Sequence, residues 1–297
     1  MAVVDVSGWE SAREEHLGTK PKQWLRGTDG TLWLWKESTT QRDLRHGVFR
    51  KGDDWAEVVA GRVAVQLGVP VAEVELATRH ERFGIVSRSV LVDHHEVLVH
   101  GNELLAEAGV AVGRRRDRTG YTLAAVELVL AAVAPPVPSD RLSTAFDWFV
   151  GYLILDALVG NTDRHEDNWG TIRSPAGPRL SPSFDHASCL GFLLSDEERI
   201  ERLTEGSGST VDAYAKAATT KFEGRPTTIE AVVGAFDRIS ATAQAFWRAR
   251  IGAVESIDGP LAEVPADRMT ETARRFAAAL FARNHELLSH RLRTMGP

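Results

Sequence analysis

The sequence predicts a two-lobed α+β protein, β-rich over residues 1–95 and helical over residues 96–297. Two observations carry this. The first hundred residues are mixed: short Trp- and Val-rich runs separated by Gly- and Asp-containing turns, with one helix among them. Beyond Val99, apolar residues recur at helical spacing through long segments, with polar or Pro-rich stretches between them. A strand-rich block followed by a helix-rich block is the order of an α+β fold, and no internal repeat interrupts it.

The elements follow in chain order. Gln23–Arg26 and Thr31–Lys36 flank Gly27-Thr28-Asp29-Gly30, a hairpin signature. Alternation then places Leu32, Leu34 and Lys36 on one face, Trp33 and Trp35 on the other. Asp54–Leu67 reads as a helix opened by a capping-box-like Asp54-x-x-Glu57 and closed by Gly68 and Pro70. Val71–Ala77 and Phe83–Val92 read as strands joined by the polar turn Arg79-His80-Glu81. Tyr121–Val133 is a helix stopped by Pro135–Pro138. Thr144–Val159 is another, with Phe146, Phe149, Val150, Leu153, Ile154, Ala157 and Leu158 on one stripe, and Gly160 ends it. A hairpin is expected between Asn161 and Leu190, and several helices from Ser195 to Arg293.

Composition bounds the function. An apolar share of 43% and a charged share of 26% are ordinary for a globular protein. A net charge of −6 gives no overall attraction to nucleic acid or anionic lipid. The single cysteine, Cys189, cannot form an internal disulfide, which fits a reducing compartment. Met1–Glu10 lacks a basic head followed by an apolar stretch, and Val126–Val137 is too short to cross a bilayer. The expectation is a cytoplasmic protein without membrane or direct nucleic-acid contact. The basic run Arg114–Arg118 reads as a solvated loop, with a docking patch for an acidic partner as the lesser reading. Of the 35 basic residues only 6 are lysines, so a lysine marks a place that wants a compact point charge.

One cluster carries chemistry. Asn161 to Asn168 are eight consecutive polar side chains directly after a strongly apolar helix. Asp163 and Asn168 have the spacing of the kinase catalytic loop, where an Asp meets the acceptor hydroxyl and an Asn holds Mg²⁺. Spacing alone is weak, because Asp156 and Asn161 repeat it, and Asp156 sits inside the preceding helix. Ser183-Phe184-Asp185-His186, across the expected hairpin, adds a second metal-binding Asp, since two ligands of one metal must come from separate segments. The β-rich lobe then needs a strand lysine for the nucleotide phosphates, Lys36, and a helix glutamate to orient it, Glu57. The bland reading makes Asp163 a helix cap, Asn168 a turn residue, Asp185 a loop residue and Glu57 part of a capping box. A transition-metal site fits poorly, as no zinc spacing is present. A serine hydrolase would need a Gly-x-Ser-x-Gly elbow that the chain lacks.

Asn161-Thr162-Asp163-Arg164-His165-x-x-Asn168 followed by Phe184-Asp185 resembles the HipA-like serine/threonine kinases. Trp55–Pro70, Leu17–Lys22 and Val99–Leu105 are similar to further segments of that family. The resemblance implies a protein-kinase-like fold, ATP and Mg²⁺ as cofactors, and a protein substrate. It makes Asp163 catalytic, Asn168 and Asp185 the metal ligands, and Lys36 a phosphate contact. Leu17, Gly18, Thr19, Lys20 and Lys22 would cover the nucleotide, Ser87, Arg88 and Ser89 would form the hinge to adenine, and His165 would lie near the phosphates. A small-molecule kinase of the aminoglycoside or choline type, and a nucleotide-binding regulator without catalysis, remain as alternatives. Two departures stand out. Longer family members carry an additional N-terminal subdomain, whose part a separate antitoxin or regulatory chain would take here. The head of the nucleotide loop reads Glu14-Glu15-His16 where relatives often carry a serine.

Overall fold

The computed structural model describes residues 2–15, 22–45, 47–113, 118–204, 206 and 208–295. Among them the strands are β1 Val4–Asp5, β2 Glu10–Glu15, β3 Lys22–Arg26, β4 Leu32–Glu37, β5 Thr40–Asp43 and β6 Gly47–Arg50. Helix α1 (Asp53–Leu67) follows, then β7 Val74–Arg79, β8 Arg82–Arg88, β9 Val97–His100, α2 Gly101–Glu107, α3 Leu123–Leu130 and α4 Ala145–Val159. The hairpin β10 Gly170–Ser174 and β11 Gly177–Leu180 precedes α5 Asp196–Leu203, α6 Val211–Lys216, α7 Thr228–Phe236, α8 Ala241–Gly252, α9 Asp258–Ala262 and α10 Glu271–Thr294. The fold is two-lobed and protein-kinase-like, a β-rich lobe on a helical one.

The large sheet runs β1-β7-β8-β4-β3-β2. The β3–β4 hairpin forms where expected, with Asp29 accepting from the Thr31 amide at 3.0 Å and Gly30 at φ 83° closing the turn. Alternation along β4 holds. Trp35 is buried with Val6, Leu25, Ala77 and Val86, while Leu34 and Lys36 face the interlobe cavity. Strand β8 ends at Arg88, so residues 89–92 leave the strand expected for Phe83–Val92, and β9 pairs with β10 instead of joining the large sheet.

Helix α1 begins one residue early, and the expected capping box does not form. Gly52 is the N-cap, with no side-chain cap bond. Asp54 turns inward to Arg50 (2.6 Å) and Arg268 (3.3 Å), and Glu57 turns toward the cavity. The helix is tied to the helical lobe at both ends. Arg268 also donates to the Ala77 carbonyl (2.9 Å) and the Thr78 hydroxyl (2.7 Å). At the other end Arg250 donates to the carbonyls of Leu67 (2.7 Å) and Gln66 (2.6 Å), so its cation meets the negative end of the helix.

Helix α4 corrects a second expectation. All fifteen residues are buried, not one stripe, so it is the central helix of the lobe, packed on α1, α7, α8 and α10. Thr144 and Asp147 form its capping box, and Gly160 ends it at φ 67°. The chain therefore leaves a fully enclosed helix and enters the polar loop within one residue. Helix α3 is shorter than the Tyr121–Val133 expected; Tyr121 instead packs wholly inside, stacked on Phe222 at 4.6 Å. No described helix is long and apolar enough to cross a membrane.

Candidate active site

A cavity of about 330 Å³ lies between the lobes. Its apolar part is lined by Leu34, Ala72, Ile85, Leu98 and Phe184, its polar part by Lys22, Lys36, Glu57, Asp163, His165, Asn168 and Asp185. The polar residues just named thus converge from five segments of the chain. Leu17, Gly18, Thr19 and Lys20 lie outside the described residues.

Lys22 and Lys36 are direct cross-strand partners on β3 and β4. Like charges opposite each other repel, and Asp185 relieves this by meeting both. Lys36 Nζ donates to its Oδ1 at 2.9 Å, and Lys22 Nζ lies 3.7 Å from its Oδ2. Glu57 Oε2 stands 3.9 Å from Lys36 Nζ. Burial alone would push both carboxyls up. The lysines outweigh it and hold Asp185 well below the usual carboxylate range, while Lys36 and the His186 contact hold Glu57 lower. Burial would likewise depress Lys36, but Asp185 and Glu57 reverse that and keep it charged.

Asp185 is aimed by strain and by a short ladder. Its φ is +61°, a left-handed conformation that a non-Gly residue adopts under constraint. Just ahead of it, Ser183 exchanges backbone bonds with the α1–β7 connection: its amide donates to the Pro70 carbonyl (2.8 Å), and its carbonyl accepts from Ala72 (2.9 Å). After it, the fully buried His186 donates its amide to Glu57 Oε1 (2.9 Å) and sets Nε2 against Ser183 Oγ (2.7 Å). Ser183 and His186, absent from the sequence-based site, thus support Asp185.

The loop after α4 is held from inside. Arg164 turns away from the cavity into a buried bidentate pair with Asp156 and donates to the Asn168 carbonyl at 3.1 Å. Asn161 Nδ2 donates to Asp156 (2.7 Å), and its Oδ1 accepts the Asp163 amide (3.1 Å). Asn168 Nδ2 donates to the Asp163 carbonyl (2.8 Å), leaving its amide oxygen for a cation. That oxygen and the Asp185 carboxylate are hard ligands of the kind Mg²⁺ selects, so the donor set fits the metal. His165 lines the cavity, its Nδ1 accepting from the Asp167 amide at 3.2 Å.

Asp163 meets two side chains that sequence reasoning missed. Lys221 Nζ is 3.1 Å from its Oδ1, and Ser188 Oγ is 3.4 Å from its Oδ2. Ser87, Arg88 and Ser89 line the same cavity, Ser87 as the cross-strand partner of Leu34. The amides of Arg88 and Ser89 already donate to Glu73 and Leu32, each within 2.9 Å. A ligand at this edge therefore finds neither of these two amides free, and Val90 is the next residue on the wall.

The sequence pattern of the HipA-like C-terminal domain matches residues 15–247, well over half of the chain. The chain belongs to the HipA-like C-terminal domain family. Among curated proteins, the serine/threonine-protein kinase CtkA of Helicobacter pylori (strain J99) is 23% identical over 138 residues. That match spans 46% of this chain and only 40% of CtkA. Among solved structures, the H. pylori proinflammatory kinase CtkA superposes with a TM-score of 0.74 at 16% identity, covering 99% of this chain and 100% of that one. HipA of Shewanella oneidensis MR-1, solved with HipB and operator DNA, superposes with a TM-score of 0.56 at 14% identity, covering 95% of this chain and 68% of that one. At such identities the superpositions establish a shared HipA-like fold.

Proposed function

We propose that this protein is an ATP- and Mg²⁺-dependent kinase that phosphorylates a serine or threonine hydroxyl of another protein. One observation carries the reading: a strand lysine, a buried helix glutamate, the Asp163–Asn168 loop and Asp185 line a single cavity whose wall is otherwise largely apolar. That combination suits a nucleoside triphosphate, with the base against Leu34, Ala72, Ile85 and Leu98 and the phosphates toward Lys22 and Lys36. A Mg²⁺ held by Asn168 and Asp185 would neutralise charge on the phosphates. Asp163 accepts the hydrogen of the acceptor hydroxyl. The hydroxyl oxygen bonds to the terminal phosphorus, the bridging P–O bond breaks, and the nucleoside diphosphate leaves with that electron pair. Lys36, oriented by Glu57, steadies the remaining phosphates.

The protein acceptor is taken from the similarity to CtkA, a serine/threonine-protein kinase. The presence of HipB beside HipA motivates a further part of the proposal: a separate antitoxin-like chain controls this kinase in the cytoplasm, and growth inhibition is the activity it restrains. The test is incubation with γ-labelled ATP and cell extract, with protein and small molecules separated afterwards. Mg²⁺-dependent label in protein is expected. Label confined to metabolites would make this a small-molecule kinase, and binding without transfer would make it a regulator.

A further inference from the structure

The Asp163–Asn168 loop supplies no cation at its own carboxylate. Arg164 is turned inward, only 4% exposed and committed to Asp156 and to the face of Tyr152. The cation at Asp163 comes from 58 residues further along the chain. Lys221 reaches Oδ1 at 3.1 Å from the segment between α6 and α7. The other oxygen, Oδ2, lies on the cavity side, where Ser188 Oγ stands at 3.4 Å. Ser188 lines the cavity and Lys221 does not. The carboxylate is therefore divided, one oxygen anchored from outside and the other presented inward.

The segment that carries Lys221 is built to hold it still. Thr220 donates its amide (2.8 Å) and its hydroxyl (3.1 Å) to the Pro226 carbonyl. On the other side Phe222 is buried against Tyr121, and the Glu223 amide donates to the Tyr121 carbonyl at 2.8 Å. Tyr121 also donates its hydroxyl to the Arg164 carbonyl (3.3 Å), so one aromatic side chain braces both the loop and the lysine segment. The pair is about a third exposed on each side, and a surface ion pair of that kind adds little to stability. The chain has only 6 lysines, and three of them, Lys22, Lys36 and Lys221, contact Asp185 or Asp163.

We infer that Lys221 is a positioning residue for phosphotransfer: it anchors Oδ1 of Asp163 so that Oδ2 meets the acceptor hydroxyl, in the place that Ser188 Oγ marks. The inference rests on the phosphotransfer reading above. An ammonium has three donors and no acceptor, so Lys221 can hold the carboxylate oxygen without itself taking part in the transfer. Because it acts on the acceptor side, its loss falls on the transfer step and leaves nucleotide binding intact.

The experiment compares wild-type protein with Lys221→Met and Lys221→Arg in Mg²⁺-dependent phosphotransfer, alongside ATP-induced thermal stabilisation. Lys221→Met is expected to lower kcat by about 10²-fold, the scale of a misplaced reacting group, with KM for ATP and the ATP-induced shift unchanged. Lys221→Arg should recover most of that loss, because a guanidinium can restore the contact. Three results would each overturn the inference: kcat within twofold of wild type in Lys221→Met, a loss carried by KM for ATP, or an Arg variant no better than Met. Wild-type protein that binds ATP but transfers nothing to protein, small molecule or water would refute the phosphotransfer reading itself, and this inference with it.

Discussion

Two Asp–Asn pairs with the same five-residue spacing lie within thirteen positions of each other, and they have opposite fates. Asp156 and Asn161 are sealed inside, 3% and 2% exposed and bonded to each other, with Arg164 paired to Asp156. Asp163 and Asn168 line the cavity, bonded to each other only through the Asp163 backbone. The difference comes from where the chain turns: Gly160 ends the buried helix that carries Asp156, Asn161 still points into it, and only beyond Asn161 does the loop open to the cavity. The buried pair is also the foundation of the open one, since Asn161 holds the Asp163 amide and Arg164 holds the Asn168 carbonyl. Identical spacing gives chemistry in one setting and scaffolding in the other.

The sharpest way to break this contrast is to neutralise each aspartate. Asp163→Asn should lower phosphotransfer by about 10²–10⁴-fold with an unchanged melting temperature. Asp156→Asn should do the reverse first. It leaves Arg164 as a buried cation without its counter-charge, a loss of about 3–5 kcal/mol, read as a lower urea midpoint at unchanged slope. Equal midpoints for Asp156→Asn and wild type would erase the distinction between the pairs.

A third carboxylate sharpens the comparison, because Asp185 is both cavity-lining and anchored on cations. Lys36→Met should destabilise by about 3 kcal/mol near neutral pH, and the deficit should shrink on acidification. The sign follows from the carboxyls. With Lys36 present, Glu57 and Asp185 sit below their ordinary range, so their contribution is complete above about pH 4 and fades as pH falls through the lower folded values. Without the cation, buried Glu57 rises above its unfolded value and takes up a proton as pH falls. A deficit that stays constant between pH 5 and 8 would refute this account of the lysine–carboxylate cluster. Finally, ATP at about 100 times its dissociation constant should stabilise the protein by about 2.7 kcal/mol. Asp185→Ala should abolish the Mg²⁺-dependent part and keep the rest, because Lys22 and Lys36 are then free for phosphate. A full Mg²⁺-dependent increment in the variant would remove Asp185 from the metal site.

What was legible in the sequence is local. The β3–β4 hairpin, the ends of α4 at Thr144 and Gly160, and the polar loop after it are set by residues within a few positions of each other. So was the alternation that sends Lys36 inward and Trp35 into the core. Glu57 had two local readings, cap or lysine partner, and only packing decided between them, because Gly52 took the cap. Long-range features left little or no sequence signal: none for the pairing of β9 with β10 or the burial of α4 on every side, and one indirect clue for the meeting of Lys221 with Asp163. The scarcity of lysine was the one available clue to Lys221, since three of the described lysines converge on the two aspartates.

The ties at both ends of α1 bear on inhibitor chemistry. Compounds that trap a kinase by wedging its glutamate helix outward need that helix to swing. Here such a ligand would have to break the buried Arg268–Asp54 contact and strip Arg250 from two carbonyls at once. Selective inhibitors of this protein should therefore be sought among molecules that fill the existing cavity along Leu34, Ile85 and Phe184, leaving the helix where it stands.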